Sequence, residues 1–176
     1  MWDFFETVRH RHSVRKYRSD LPVERDKLHA ILEVACSAPS AGDLQSYRIV
    51  VVTDAGTQQA LVQAAGNQAF IAEAPVNLVF CADAQRAAEQ YGTRGADLFS
   101  TQDATIAASY TQLAAVAAGL ATAWVGSFNE EKIRNALELA DSLRPVALIC
   151  LGYPAETPQL THRRPISEMV TYYGKS

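Results

Sequence analysis

Residues 103–129 read DATIAASYTQLAAVAAGLATAWVGSFN and contain no charged side chain after Asp103. The larger apolar residues recur at helical spacing with alanines between them, namely Ile106, Tyr110, Leu113, Val116 and Leu120. Asp103 is well placed to cap the start of this helix. The stretch is long enough to cross a bilayer, but its hydroxyl and amide side chains would be poorly tolerated in lipid. The sequence therefore predicts a long helix buried in protein, whose small residues let another helix approach closely.

The segments around this helix predict further helices and short strands. Runs of apolar and β-branched residues bounded by turn residues indicate strands at 47–53, 76–82 and 145–151. Amphipathic spacing and capping residues indicate helices at 2–9, 26–37, 57–65 and 129–140. A strand-like segment leaves the long helix at 124–126. The polar segment 84–100, with Gly92 and Gly95, is interpreted as a helix and a mobile loop. Residues 155–176 are predicted to form a tail that wraps another surface.

The composition limits the classes of function. At 176 residues and 48% hydrophobic content, the chain is expected to form a single domain, residues 1–176, or half of a compact dimer. The net charge of −3 disfavours a general nucleic-acid-binding protein. Three scattered cysteines and four histidines form no metal-binding motif, so we expect no metal site and reduced thiols in a cytoplasmic protein. Acidic residues near the start lack the pattern of a signal peptide.

A basic segment precedes the first predicted strand. Between Arg9 and Arg18, five basic side chains and two histidines occur within ten residues. Guanidinium groups bind phosphate through paired hydrogen bonds and keep their charge at any working pH, and Ser13 adds a hydroxyl donor. A solvated charged turn explains the same residues equally well. A nucleic-acid-binding arm is a weaker alternative, because the rest of the chain is acidic.

Three further segments contain candidate ligand contacts. Loop 38–47 combines small residues, which let backbone approach a planar ligand, with the polar side chains of Asp43 and Gln45. A plain helix–strand turn has the same composition. At 124–127, a glycine between strand and turn can direct a backbone N–H at a ligand, which is a weak signal alone. The pair Arg163-Arg164, taken by itself, is more typical of a solvated surface.

Taken together and in order, these segments resemble the nitroreductase family. The family pattern R-R-S-x-R-x-F/Y resembles RHSVRKY at 11–17, and the pattern A-P-S-A-x-N-x-Q-P-W resembles APSAGDLQSY at 38–47. The likeness continues through EAPV at 73–76, QD at 102–103, GLATAWVG at 119–126, LGYP at 151–154 and RRPI at 163–166. It covers nearly the whole chain.

The resemblance implies a fold, an assembly and a reaction. The fold is α+β, with a central, mainly antiparallel sheet sandwiched by helices, a long central helix at a dimer interface and an extended C-terminal tail. The assembly is a homodimer with FMN at the subunit interface, and neither nucleic acid nor a membrane is expected as a partner. NAD(P)H would reduce FMN, and an electron-poor small molecule such as a nitroaromatic or quinone would then take the electrons. This two-step hydride relay needs no side-chain general acid.

The resemblance also implies cofactor contacts. Arg11 and Ser13 would meet the phosphate side of FMN, and Arg15 the pyrimidine edge, where a positive charge stabilises the reduced flavin. Residues 39–41 would come from the other subunit, the backbone at 125–126 would lie near the reactive edge, and Arg163 or Arg164 would close on the phosphate. The implied contacts are Arg11, His12, Ser13, Arg15, Pro39, Ser40, Ala41, Asp43, Gln45, Trp124, Val125, Gly126, Arg163 and Arg164.

Three residues depart from the family pattern, namely Asp43 for Asn, Ser46 for Pro and Tyr47 for Trp. Asp43 offers only acceptors where an amide also donates, so any contact that needs a donor at that position is lost. Three alternatives stay open. The chain is a specialised flavin-dependent biosynthetic enzyme, a non-catalytic or weakly catalytic flavin-binding or redox-sensing module, or a phosphate-ligand or nucleic-acid protein that uses the basic segment alone.

Overall fold

Helices and strands alternate along the residues that the computed structural model describes, which are 3–158 and 161–174. The helices are α1 Phe4–His10, α2 Arg25–Cys36, α3 Ala55–Ala64, α4 Phe70–Glu73, α5 Ala84–Arg94, α6 Ser100–Ala117, α7 Glu130–Ala136 and α8 Ile166–Met169. The strands are β1 Tyr47–Val52, β2 Val76–Asp83, β3 Ala121–Val125 and β4 Leu143–Gly152. A 3-10 turn at Ala41–Asp43 and a π-helix at Gly95–Phe99 complete these elements.

The strands form a sheet in the order β1-β2-β4-β3, in which each neighbouring pair is antiparallel. The central strands β2 and β4 are long and apolar, whereas β1 and β3 are the edges among the described residues. This architecture confirms the α+β fold and the antiparallel sheet that the sequence predicts. The strand at β3 also begins earlier than expected, at Ala121 rather than at residue 124.

Helices cover both faces of the sheet. Successive side chains of a strand point to opposite faces. Accordingly, Leu78 and Phe80 of β2 pack with α2 and α6, whereas Val79 and Cys81 pack with α3, α4 and α7. Because both faces are covered, β2 is buried from Val76 to Ala82. This double burial explains why its sequence is a nearly continuous apolar run without polar alternation.

The long central helix is present, but it begins differently from the prediction. Helix α6 starts at Ser100 and follows directly on the π-helix. The predicted N-cap at Asp103 is therefore wrong: Asp103 lies inside the helix with only 2% of its surface exposed. No helix in the described ranges combines the length and the apolar character needed to span a membrane.

The predicted mobile loop within 84–100 is also wrong, because the segment is helical apart from a break at Gly92. Gly95 serves close packing there: a Cβ atom at this position would lie 2.3 Å from the carbonyl oxygen of Ala87.

The ends of other helices differ slightly from those predicted from the sequence. Asn129 caps α7 as predicted by accepting from the backbone N–H of Lys132, but α7 ends at Ala136. Trp2, in the first predicted helix, lies outside the described residues.

Replacing Gly95 with alanine is expected to lower the free energy of unfolding by about 1–3 kcal/mol, because the new methyl group would overlap backbone atoms of Ala87. The matched control is Gly56→Ala in α3, where the nearest atom is a carboxylate oxygen of Asp54 at 3.2 Å. There the better helix propensity of alanine is expected to add up to about 1 kcal/mol. Urea unfolding of both variants measures the difference, and equal effects would contradict the packing role of Gly95.

Candidate functional site

The basic segment lies in an extended conformation along the edge strand β3. Ser13 forms a parallel bridge with Thr122, and the backbone N–H of Val14 donates to the carbonyl oxygen of Thr122 at 3.0 Å. The side chains of Val14 and Tyr17 are buried, and the Tyr17 hydroxyl donates to the Val14 carbonyl at 2.7 Å. Burial raises the pKa of Tyr17, which keeps this donor protonated. These contacts fix the segment, so it is not a freely solvated turn.

The other side of the basic segment is held by the chain that leaves β4. The backbone N–H of Ala155 donates to the carbonyl of Lys16, and that of Arg18 donates to the carbonyl of Tyr153, both at 2.9 Å. The Arg15 N–H donates to a carboxylate oxygen of Glu156 at 2.7 Å. Because Val14 and Tyr17 occupy the inward-facing positions, the side chains of Arg15, Lys16 and Arg18 face outward.

Arg11 and Arg163 bring two positive charges together from opposite ends of the chain. Partial burial and the nearby guanidinium of Arg163 both lower the pKa of Arg11. Within the described residues, neither arginine forms an ion pair with a carboxylate. A bound anion would relieve this repulsion, and guanidinium groups suit phosphate oxygens. Arg163 and its neighbour Arg164 are both exposed.

Arg15 follows Ser13 by two residues, beyond the single bridge that pairs Ser13 with Thr122 of β3. Residues 125–126 lie at the end of β3 and just after it. The Arg15 guanidinium lies 5.8 Å from the centre of the Phe70 ring. Val125 is buried, Gly126 is exposed, and Trp124 packs on the face of the sheet covered by α2 and α6.

A cavity of about 440 Å³ opens beside the start of the basic segment. Its walls include the side chains of His10, His12 and Val14, the C-terminal end of α6 at Val116, and Pro154. Helix α6 is tied to this region because the Gln112 amide donates to the Thr122 hydroxyl at 3.1 Å in the buried core. One chain thus brings His12 and Val14 of the basic segment to this cavity, with Ser13 paired to Thr122 of β3.

The candidate loop residues 39–45 form a tight turn with its own hydrogen bonds. The Ser40 hydroxyl oxygen accepts from the backbone N–H of Gln45 at 3.0 Å and from its side-chain amide at 3.3 Å. That amide also donates to the Asp43 carboxylate, so Asp43 accepts a hydrogen bond that stabilises the loop. Pro39 is exposed, and Ala41 is half-buried. The loop residues at 39–41 also line a cavity of about 520 Å³ together with Phe99, Gln102 and Ile106.

The backbone of this turn is strained. Gly42, Asp43 and Gln45 all have left-handed backbone angles, with φ of 57°, 56° and 45°. Such a conformation costs a non-glycine residue about 1–3 kcal/mol. Glycine suits position 42 because of its positive φ, and a Cβ there would also displace the Tyr91 hydroxyl, which lies 2.3 Å from the Cβ position. Tertiary contacts must therefore hold the loop in place.

Asp103 supplies those contacts from helix α6, and sequence reasoning missed this role. Its carboxylate accepts from the backbone N–H of Ala41 at 3.0 Å, from the N–H of Ser46 at 3.3 Å and from the Ser46 hydroxyl. The sequence signals for Asp103 are its position beside a long uncharged stretch and the pair QD at 102–103 that resembles the family pattern, and neither points to the loop. Ser46, which stands where the family pattern has proline, is fully buried against it. At the third departure from the pattern, the Tyr47 hydroxyl donates to the carbonyl of Ala35 at 3.3 Å.

The two groups of candidate residues lie far apart in one chain. The loop precedes Tyr47, which is level with Ala82 across the sheet, whereas the basic segment pairs with Thr122, level with Val76. Six residues of β2 and the spacing from β1 to β3 separate them, which corresponds to roughly 25 Å. The groups are thus at opposite corners of the sheet and at opposite ends of α6.

Comparisons with known proteins identify a common family. The Nitroreductase family model matches residues 8–153. A Thermus thermophilus protein named NADH dehydrogenase is 35% identical over 189 residues, covering 92% of each chain. An oxygen-insensitive NADPH nitroreductase from Salmonella typhimurium is 32% identical, covering 91% of this chain and 69% of that protein. The solved structure of an NADPH:FMN oxidoreductase from Vibrio harveyi, complexed with NAD+, superposes with a TM-score of 0.89 at 29% identity, covering 98% of this chain and 78% of that one.

Replacing Arg11 with glutamine is expected to weaken binding of inorganic phosphate, because the paired guanidinium groups are the proposed anion contacts. Phosphate at ten times its Kd raises the free energy of unfolding of a binding protein by about 1.4 kcal/mol. We expect this gain in the parent protein and its loss in R11Q, measured by thermal unfolding at constant ionic strength. The matched control R164Q is expected to keep the gain. Loss in R164Q and retention in R11Q would contradict the assignment.

Proposed function

Because the chain belongs to the nitroreductase family, we propose that it is an FMN-dependent enzyme that uses NAD(P)H to reduce electron-poor acceptors such as nitroaromatics or quinones. Relatives named NADPH nitroreductase and NADPH:FMN oxidoreductase support this reaction class. We propose that residues 1–176 act as one domain in this role. The observation that carries the proposal is the basic segment itself, which the Ser13–Thr122 bridge and the Val14 N–H bond to Thr122 hold against β3 with Arg11 half-buried.

The residues present fit FMN at three points. Arg11 and Arg163 suit its phosphate, since two guanidinium groups can each offer paired donors to phosphate oxygens. Ser13 follows Arg11 by two residues on the basic segment and adds an exposed hydroxyl. Arg15 places a fixed positive charge two residues further along the segment, near the Phe70 ring. The exposed backbone of Gly126 follows the end of β3 and leaves room for a planar group.

Bound FMN supplies the redox chemistry, in which a hydride from NAD(P)H is taken up and electrons are passed on to the acceptor. The protein residues bind and orient. Arg15 would stabilise the negative charge of the reduced flavin, because its positive charge is already in place and does not have to reorient during the reaction. The bridge between Ser13 and Thr122 holds the basic segment beside β3, the strand that ends at Val125. We propose that no side chain acts as a general acid and that the role of the protein residues is to bind and orient FMN.

We propose that the complete site forms between two copies of the chain. Residues 39–45 lie roughly 25 Å from the basic segment within one copy, by strand spacing and rise, so both contact one FMN only if they come from different copies. Helix α6 has the loop at one end and the basic segment near the other. A two-fold axis across α6 pairs it with its copy in antiparallel orientation. That pairing brings the loop of one copy beside the basic segment of its partner.

An uncharged, partly exposed surface favours this pairing. Helix α6 carries no charged side chain after Asp103, and its outer residues meet an apolar groove with α1 and α2. The exposed or half-buried apolar residues that line the groove include Phe4, Val34, Tyr110 and Leu113, and α1 also exposes Phe5 and Val8. Contiguous apolar surface of this kind marks interaction sites in soluble proteins. The tail adds exposed apolar residues, at Ile166, Met169, Val170, Tyr172 and Tyr173.

The visible spectrum of the purified protein tests the proposed function. We expect a yellow protein, or one that takes up FMN, whose flavin absorption is bleached by anaerobic NADH or NADPH and restored by a quinone or nitroaromatic. The comparison of the two nucleotides gives the preferred donor. FMN binding without NAD(P)H oxidation would instead identify a flavin-binding module. A colourless protein that does not bind FMN would contradict the proposal altogether.

Replacing Ala117 with glutamate is expected to separate the dimer and abolish FMN binding together, because the exposed Ala117 borders the apolar groove of α6. A charge placed at a buried contact costs several kcal/mol when unpaired. Light scattering gives the mass, expected to be twice the 19.2 kDa chain in the parent protein. The matched control is Ala55→Glu, an exposed alanine at the start of α3 on the other side of the sheet. A monomeric A117E that binds FMN normally would exclude a site shared between copies.

A further inference from the structure

The loop at residues 40–46 and the carboxylate of Asp103 depend on each other. The loop holds two non-glycine residues with left-handed backbone angles, Asp43 and Gln45, which local preferences do not favour. The Asp103 carboxylate is buried, and among the described residues it has no cationic partner. A buried charge is tolerated only when hydrogen bonds replace water. Here the donors that replace water come from the loop.

Each of those donors fixes a different part of the loop. The N–H of Ala41 holds the beginning of the turn to Asp103 Oδ1 at 3.0 Å. The N–H and hydroxyl of Ser46 hold its end to Asp103 Oδ2. The two carboxylate oxygens therefore clamp both ends of the turn. The strained residues between them have little freedom to relax.

Ser46, which departs from the family pattern, supplies two of the three donors of this clamp. A proline at position 46, as in the family pattern, would carry neither an N–H nor a hydroxyl. It would leave Oδ2 of the buried Asp103 without both of the donors it has here. Serine thus completes the coordination of the carboxylate, and the hydroxyl contributes the shorter of its two bonds.

We infer that Asp103 is a positioning residue for the cofactor site, acting with Ser46 to hold residues 40–41 against the FMN bound by the partner copy. This inference rests on the proposed function. Asp103 acts through the loop, because its carboxylate oxygens are both engaged there. Since Asp103 is part of α6, the clamp also links the wall of the cofactor site to the helix proposed to form the dimer interface.

The test compares the complete protein with Asp103→Asn and Ser46→Ala. Asparagine turns one acceptor into a donor that opposes the loop N–H groups, and alanine removes the hydroxyl alone. Loss of a hydrogen bond to a charged group is expected to weaken FMN binding about 10- to 100-fold, measured by quenching of flavin fluorescence. The visible circular dichroism of the bound flavin is expected to change as well, because the wall against it shifts.

The matched control is Thr111→Val, which removes a buried hydroxyl that donates within α6 to the carbonyl of Ala107 and does not reach the loop. We expect its FMN affinity and flavin dichroism to equal those of the parent. All variants are also compared by light scattering and by thermal unfolding of the FMN-free protein. Ser46→Ala, which adds no opposing donor, provides the test if Asp103→Asn does not fold.

Three results would overturn the inference. If the parent protein does not bind FMN, the proposed function fails and the inference fails with it. If the parent binds FMN and both variants keep its affinity and dichroism, the proposed function stands and the positioning role is wrong. If the variants lose thermal stability while the FMN affinity and the dichroism stay unchanged, Asp103 has only a structural role.

Discussion

The packing of helix α6 against the sheet is the constraint on which both candidate segments depend. Alanines at positions 107, 108 and 115 are buried there, so the helix backbone lies close to the strands. Polar side chains on such a face need hydrogen-bonding partners, because water cannot reach them. Asp103 finds its partners in the loop, and Gln112 finds one in Thr122, whose carbonyl also accepts from Val14. One helix thereby fixes the loop and the basic segment.

The same helix also keeps those two segments apart. An α-helix rises about 1.5 Å per residue, so the 18 residues of α6 extend for roughly 27 Å. The loop and the basic segment are held near its opposite ends and cannot meet within one copy. The uncharged outer face of α6 offers a surface for a second copy. Antiparallel pairing of the two α6 helices would bring the loop of one copy beside the basic segment of the other. Helix α6 thus accounts both for the separation of the two candidate segments within one copy and for the apolar surface that a second copy would cover.

Much of the fold follows from sequence patterns that act locally. The apolar runs of β1, β2 and β4 and the spacing in α2 and α6 predict their elements to within a few residues, because periodicity and turn residues report local preference. The Asn129 cap is correct for the same reason. The order of the motifs identifies the family, which the comparison over residues 8–153 confirms. The individual cofactor contacts stay predictions.

The sequence by itself determined the class of fold, the approximate elements and the family. Tertiary structure alone decided that Asp103 lies inside α6 and clamps a loop some 60 residues earlier in the chain, that Arg163 approaches Arg11, and that Gly95 packs a π-helix where a loop was expected. These features depend on contacts between residues distant in the chain. Local propensity carries no information about which distant donor, charge or carbonyl a side chain will meet, because that partner is chosen only when the sheet and its covering helices pack together.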